Sequence, residues 1–299
     1  MNAISHVLAA TDLSAPARHA AERAAMLAAE SGDAGSAAAT LLHVLPSGVL
    51  DELRAWLGRA EPADALLQRA GRELRELADG LARRHGVAVD AQVECGPVVE
   101  RIVQAADATG AGLVATGARG SGFLRGALLG STAERLIHRT ARPVLVVRHA
   151  PHGPYRRLLV PVDFSAWSDA SLALARRVAP QAQLVLLHAF EVPFEGKLKF
   201  AGVDAATIRQ YRRDAERRAV QQLHELAARH GLAARSWTPC VAEGDAGLRI
   251  VEHEQEQDAD LVVVGKHGRN VVEELLLGSV TRRVLADAAG DVLVSTVPR

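Results

Sequence analysis

The chain repeats itself at the scale of a whole domain. Val7-Leu8-Ala9-Ala10-Thr11-Asp12-Leu13-Ser14 corresponds to Leu158-Leu159-Val160-Pro161-Val162-Asp163-Phe164-Ser165, and Leu41-Leu42-His43 to Leu186-Leu187-His188. Leu81-Ala82-Arg83-Arg84-His85-Gly86-Val87 returns as Leu226-Ala227-Ala228-Arg229-His230-Gly231-Leu232, and Val144-Leu145-Val146 as Val292-Leu293-Val294. The corresponding segments lie 145 to 151 residues apart, so the copies differ only by small insertions. A period of that length is too long for a solenoid repeat and is that of an independent folding unit. The Pro- and Gly-containing stretch Ala150-Pro151-His152-Gly153-Pro154 suits the joint, which places domains at 1–150 and 155–299.

Within each copy, short apolar runs alternate with longer helical patterns. Strands are expected near 5–10, 38–45, 87–94, 112–117 and 143–148, and again near 156–162, 182–189, 232–241, 259–264 and 291–296. Runs such as Leu261-Val262-Val263-Val264 lack polar alternation, as in strands covered on both faces. Between them lie Ala/Leu/Arg/Glu-rich stretches, one opening at Ser14 with Pro16 in its first turn, another through Ala63–Arg84. The charge-dense stretch Asp204–His230 reads as a solvated helix face. Strand–helix alternation implies parallel strands with right-handed crossovers, an α/β doubly wound five-stranded sheet in each copy, of common order 3-2-1-4-5.

Composition narrows the function. Lys+Arg and Asp+Glu are 35 each, and the balance holds in each half, with 16 of each sign in 1–150 and 19 in 151–299. Neither half offers the basic surplus that draws nucleic acid or anionic lipid. Two cysteines, Cys95 and Cys240, are too few for a disulfide framework or a Cys-rich metal site and read as small buried apolar residues. The amino-terminal residues show no basic-then-apolar signal pattern, and no apolar run reaches the length of a membrane span. A soluble cytoplasmic protein is expected.

In an open α/β sheet, ligands bind at the carboxyl ends of the strands where strand order reverses, here between strands 1 and 4. Strand 1 ends at Asp12 or Asp163. Strand 4 ends at Gly117 or Gly265 and opens a loop that reads G-x2-G-x9-G-S in both copies, through Gly120, Gly130 and Ser131, and through Gly268, Gly278 and Ser279. Leu128-Leu129 and Leu276-Leu277 precede the last glycine in each. Glycine permits positive φ and close backbone approach, so successive N–H groups can line an anion-binding concavity. The serine stands at a helix N-terminus, where orphan donors and the dipole favour a phosphate. Its hydroxyl can cap the helix or donate to that phosphate. The spacing arises by chance in about one chain of this length in a hundred, and here it occurs twice after corresponding strands.

These residues resemble the universal stress protein family, whose ATP-binding members carry G-x2-G-x9-G-(S/T) and an Asp after strand 1. The resemblance covers both halves and implies a tandem, ATP-binding stress-response protein with an adenine-nucleotide α-hydrolase-like fold. It implies that Asp12 and Asp163 lie near adenine, that Val44 and Ala189 help enclose the base, and that the glycines and serines above hold ribose and phosphates. It also implies an internal pseudo-dimer paired through 143–148 and 291–296, further homodimerisation, a regulatory protein partner, and Mg2+ on the phosphates, although no carboxylate cluster demands a metal. The chain departs from the family at Ala10, Gly112 and Asp291, where Pro, Asp and Pro are usual, while Pro161, Asp260 and Pro143 keep the pattern. The phosphate loops differ in charge: Arg119 and Arg125 stand without an acid, whereas Lys266 and Arg269 are offset by Glu273 and Glu274. The first loop is therefore expected to hold a triphosphate more tightly.

Competing signatures are missing. There is no G-x-x-x-x-G-K-[ST], and the first βα turn lacks the glycines of a dinucleotide fingerprint. Gly120-x-Gly122 is followed by Arg125 where a third glycine would be needed, and the H-I-G-H and S-G-G-x-D-S signatures of adenylyl transfer do not occur. His43 and His188 end strand 2 and read as packed or hydrogen-bonded; Ser14 and Ser165 read as helix caps. No catalytic base emerges, which leaves at most a slow ATPase. Two alternatives stand beside nucleotide-dependent regulation: a non-nucleotide-binding interaction module of the same fold, and a true ATPase or nucleotidyl transferase.

Overall fold

A computed structural model describes residues 4–31, 38–48, 61–120, 129–192, 203–268 and 277–297, with the side chains of 61–63 left aside. Leu128, Leu276, Arg125, Arg269, Glu273 and Glu274 of the two glycine loops lie outside the described residues. The chain forms two compact units, Met1–Pro154 with Gly290–Val297, and Tyr155–Ala289.

The first unit contains β1 (His6–Ala10), α1 (Ala15–Glu30), β2 (Ala38–Leu45), α2 (Glu61–His85), β3 (Ala88–Cys95), α3 (Val98–Ala108), β4 (Leu113–Gly117), α4 (Ser131–Arg139) and β5 (Val144–Val147). Its parallel strands follow the order β3-β2-β1-β4-β5, the expected 3-2-1-4-5. Val7, Leu8, Ala9, Val114, Ala115 and all of β5 are buried, which explains their unbroken apolar character. On one face, Leu8, Leu42 and Val114 pack with Ile102, Ala105 and Ala106 of α3 and Leu136 of α4. On the other, α1 presents Ala20, Ala21, Ala24, Ala25 and Ala28, all fully buried; their small side chains let the helix lie close to the sheet.

The second unit repeats the plan with β6 (Arg157–Pro161), α5 (Ala166–Val178), β7 (Gln183–Phe190), α6 (Ala205–Arg229), β8 (Trp237–Glu243), α7 (Ala246–Glu256), β9 (Leu261–Gly265) and α8 (Ser279–Asp287). Its parallel strands run β8-β7-β6-β9. Helix α6 starts at Asp204, whose carboxylate accepts the N–H groups of Ala206 and Thr207, and buries only Ile208, Ala219, Leu223, Leu226 and Ala227. The remainder of that charge-dense helix is the solvated face expected of it.

The fifth strand of the second copy, β10 (Asp291–Ser295), is counted with the first unit and runs antiparallel to β5, with Val292, Leu293 and Val294 opposite Val146, Leu145 and Val144. Pairing of the last strands is what the family resemblance implies. The substitution of Asp291 for the usual proline has a use here. Its Oδ1 accepts the Arg148 N–H at 2.8 Å, and its Oδ2 stands 3.8 Å from the guanidinium of Arg23; Asp291 and Arg23 are both buried. Arg23 also donates to the Gly153 carbonyl at 2.8 Å, and Thr296 donates to the Ala141 carbonyl at 2.8 Å.

Asp260 and its counterpart Gly112 each donate the N–H to the first strand, to the Arg157 and His6 carbonyls at 2.9 Å; the Asp260 carboxylate adds two bonds, accepting the N–H groups of Arg156 and Arg157 at 2.6 and 3.0 Å. Cys95 and Cys240 are half-buried free thiols, less enclosed than their composition suggests, and burial with help from Glu256 pushes the Cys240 thiol up. Among the described residues no helix is long and apolar enough to cross a membrane.

Candidate functional site

Because β1 and β4 are parallel neighbours, the chain leaving β1 at Asp12 and the chain leaving β4 at Gly117 open into one crevice; β6 and β9 do the same for Asp163 and Gly265. The turn after the first strand is made the same way twice. Leu13 and Phe164 adopt left-handed backbone with φ of 64° and 61°, a conformation that non-glycine residues hold only when their surroundings impose it. What imposes it is the aspartate. Asp12 Oδ1 accepts the N–H and O–H of Ser14 at 3.0 and 2.5 Å, and Asp163 Oδ1 accepts those of Ser165 at the same two distances. Ser14 and Ser165 occupy N-cap positions without a side-chain capping bond, so the expectation that their hydroxyls cap the helices is corrected: they brace the aspartates.

The histidines near the ends of β2 and β7 are each tied to the first strand through Nδ1, and His43 also lines the first cavity. His43 Nδ1 lies 2.8 Å from the Thr11 carbonyl and His188 Nδ1 2.8 Å from the Val162 carbonyl. A carbonyl only accepts, so Nδ1 carries the proton and each ring pins the end of its first strand.

Among the described residues, the motif glycines serve close approach, not positive φ, since none of Gly117, Gly120, Gly130, Gly265, Gly268 and Gly278 adopts it. A Cβ on Gly117 would lie 3.1 Å from the backbone of Pro16 and of Arg119, and one on Gly265 would lie 2.9 Å from the His267 carbonyl oxygen and from Cβ of Trp167. A Cβ on Gly120 would meet Asp12 Oδ2 at 2.8 Å, and one on Gly268 would meet Asp163 Oδ2 at 3.0 Å. The aspartate and the second glycine of each motif therefore face one another across the crevice. Gly130 and Gly278 fold the loop back by donating to the carbonyls of Ala118 and Lys266 at 2.8 and 3.0 Å, and each is the N-cap of the following helix. Ser131 and Ser279 are the first helical residues and do not cap, which resolves the ambiguity about their hydroxyls against capping. Each helix thus aims its first-turn N–H groups at the crevice.

The structure brings all the sequence-derived candidates together. Asp12, Val44, Gly117, Gly120, Gly130 and Ser131 line one cavity of ≈ 750 Å³ in the first unit. Asp163, Ala189, Gly265, Gly268, Gly278 and Ser279 line one of ≈ 320 Å³ in the second. Both volumes fall in the range of small-molecule sites. Sequence reasoning missed an apolar wall of each cavity, Val98 and Ile102 in the first and Ala246 and Ile250 in the second, whose i, i+4 spacing on a helix was the available signal. It also missed Trp167, Ser168 and Ser171 of α5, which line only the second cavity. Of the loop charges, Arg119 lines the first cavity; in the second, His267 holds the corresponding place, and Lys266 is buried away from the lining. Among the described residues, no group of three or more His, Cys, Asp or Glu side chains can hold a metal ion.

The universal stress protein family model matches residues 3–148 and again 154–296. A universal stress protein of Mycobacterium tuberculosis is 30% identical over 195 residues, covering 62% of this chain and 59% of the relative. One of Mycolicibacterium smegmatis is 29% identical over 232 residues, covering 73% and 72%. The match thus spans about three-fifths of the length of the first of these relatives. Among solved structures, a universal stress protein from Archaeoglobus fulgidus shares the fold with a TM-score of 0.70, 21% identity and 97% of both chains covered. A Pseudomonas aeruginosa protein follows at 0.61, with 20% identity and coverage of 98% and 93%.

Proposed function

The chain belongs to the universal stress protein family as two tandem copies, and from that premise we propose that it is an ATP-binding, stress-response regulatory protein with little or no hydrolysis. The observation that carries the reading is the convergence of six corresponding residues on one cavity in each unit, at the strand ends where an α/β sheet takes its ligands. In this reading residues 1–150 and 155–299 each supply a site, fused as a pseudo-dimer.

The chemistry follows from the parts. Asp12 or Asp163, held rigid by its serine, accepts a hydrogen bond from the adenine or ribose, and Val44 or Ala189 with the α3 or α7 side chains covers the base. The glycine backbone admits the ribose and phosphates at contact distance, and the α4 or α8 N-terminus with Ser131 or Ser279 receives phosphate oxygens. Mg2+ would enter with the phosphates, because the residues that line the cavities supply no ligand set of their own. In this reading the aspartates serve the base or ribose and not the γ-phosphate, so any hydrolysis is a slow timer. The signal is occupancy: ATP favours one arrangement of the glycine loops, which a cytoplasmic protein partner or a second copy reads.

The test is to purify the full chain natively, extract it with acid, identify any released nucleotide, and follow added ATP over hours. Bound ATP that persists is the expected result. A chain with neither bound nucleotide nor affinity for it refutes the reading in favour of an interaction module, and multiple turnovers refute it in favour of an enzyme.

A further inference from the structure

The two cavities share their motif and differ in almost everything around it. At Arg119 of the first loop the second has His267, whose ring stands edge-on to Trp167 at 5.0 Å between centroids. Trp167 itself replaces Pro16 at the second position of the helix after strand 1, and its Cβ lies only 2.9 Å from where a Cβ of Gly265 would be. An arginine is a permanent cation with a planar fork that matches phosphate oxygens; a histidine ring has no such fork. The second cavity is the smaller, ≈ 320 against ≈ 750 Å³.

The same helix face adds hydroxyls that the first copy lacks. Ser168 and Ser171 stand where the first copy has Ala17 and Ala20. Ser168 donates to Asp163 Oδ1 at 2.7 Å, a third hydrogen bond on an oxygen that in Asp12 takes two from its serine. Ser171 lines the cavity, is fully buried, and its hydroxyl has no hydrogen-bond partner among the described residues. A buried hydroxyl left so is costly unless a ligand or water completes it. The N-terminus of α8 and Ser279 remain to receive a single phosphate group.

We infer that the copies take different phosphorylation states of the nucleotide: the first cavity a nucleoside triphosphate, the second a nucleoside monophosphate. This rests on the nucleotide-binding reading above and narrows it. A lone phosphate, linear or cyclic, is served by the helix terminus; second and third phosphates meet the Trp167–His267 pair where the first copy offers space and a guanidinium. The chain would then respond to the ratio of charged to spent nucleotide, not to either concentration alone.

Trp167 provides a local reporter. In the full chain with Trp56→Phe and Trp237→Phe, its emission is titrated with AMP, cyclic AMP and ATP, while equilibrium dialysis counts each nucleotide bound. The expected result is a Trp167 response to AMP or cyclic AMP at concentrations at least about tenfold below ATP, with one ATP per chain still bound elsewhere. Whichever of the two monophosphates acts at the lower concentration identifies the linear or the cyclic form. Gly265→Val should remove the Trp167 response and Gly117→Val the bound ATP. Should either variant unfold, Trp167→Pro with His267→Arg, which copies the first site, should raise ATP from one to two per chain. A Trp167 response to ATP at or below the AMP concentration overturns the inference alone, as does bound ATP with no response to either monophosphate. A chain that binds no adenine nucleotide overturns both readings.

Discussion

Asp291→Ala tests how β10 is held on the first unit. Asp291 and Arg23 are 4% and 6% exposed, with N···O at 3.8 Å, and the same carboxylate accepts the Arg148 N–H. At an effective dielectric near 20, opposite charges at that separation attract by about 4 kcal/mol. Removing one member of such a buried pair typically costs about 3–5 kcal/mol, because the other charge stays buried. The lost amide bond falls inside that range, since single contributions in one network do not add. A whole-chain melting curve would blur two units, so the appropriate assay is hydrogen exchange of peptides covering 143–148 and 291–295. Exchange there should accelerate by about a hundredfold to several thousandfold, the stated range converted at 1.36 kcal/mol per decade. Exchange in β7 and β8 should stay unchanged. The double variant Arg23→Met/Asp291→Ala should recover most of the protection, since it removes the charge left behind. Acceleration below about threefold in the single variant, or a double variant worse than the single, would refute the reasoning.

Other expectations follow from the sites. Gly117→Ala pushes a methyl against backbone on both sides at 3.1 Å, whereas Gly120→Ala meets a side chain alone, Asp12 Oδ2 at 2.8 Å, the carboxylate oxygen that Ser14 does not brace. The former should cost about 1–3 kcal/mol in urea unfolding and the latter less, while both weaken ATP binding in dialysis; equal stability costs would count against the packing account. Arg119→Gln should weaken ATP at the first cavity about tenfold or more and adenosine hardly at all, read by calorimetry, and an equal loss for adenosine would show that Arg119 does not face phosphate. Burial pushes the Glu22 carboxyl up, but hydrogen bonds from His85 and Arg84, both at 2.7 Å, outweigh it and hold the group below its usual 4.5. Its stabilising contribution is therefore complete above about pH 4.5 and fades as pH falls through the lowered value. Glu22→Gln should lose stability relative to wild type at pH 7 and converge with it in acid, and a constant gap across pH would exclude the linkage.

The sequence made the sheet and the crevice legible because both depend on local spacing that occurs twice. Short unbroken apolar runs that alternate with helical stretches read as strands covered on both faces, and three glycines at fixed spacing from the end of strand 4 stay within one loop. What escaped depends on residues far apart in the chain. Nothing local says that Gly265 abuts Trp167, nearly a hundred residues earlier, so the glycine looked like a source of backbone freedom and proved to be a place where a Cβ does not fit. The serine after each aspartate looked like a cap because caps and Asx-type turns draw on the same residue types; the left-handed Leu13 and Phe164 turn the hydroxyl toward the carboxylate instead. Asp291 looked like a departure from pattern until β10 was seen beside β5 with Arg23 beneath it.

The antiparallel pair of β5 and β10 also fixes an order of events on the ribosome. Val144–Val147 leaves the tunnel long before its partner strand, since Val146 must wait for Val292. At elongation rates of about 5–20 residues per second, that wait is on the order of ten seconds. Throughout it, the nascent first unit presents four consecutive apolar residues on an open sheet edge, which is a template for any passing strand. On a crowded polysome, the β10 of a neighbouring chain competes for the same edge, so exchange of the carboxyl-terminal strand between nascent copies is the characteristic misassembly of this architecture.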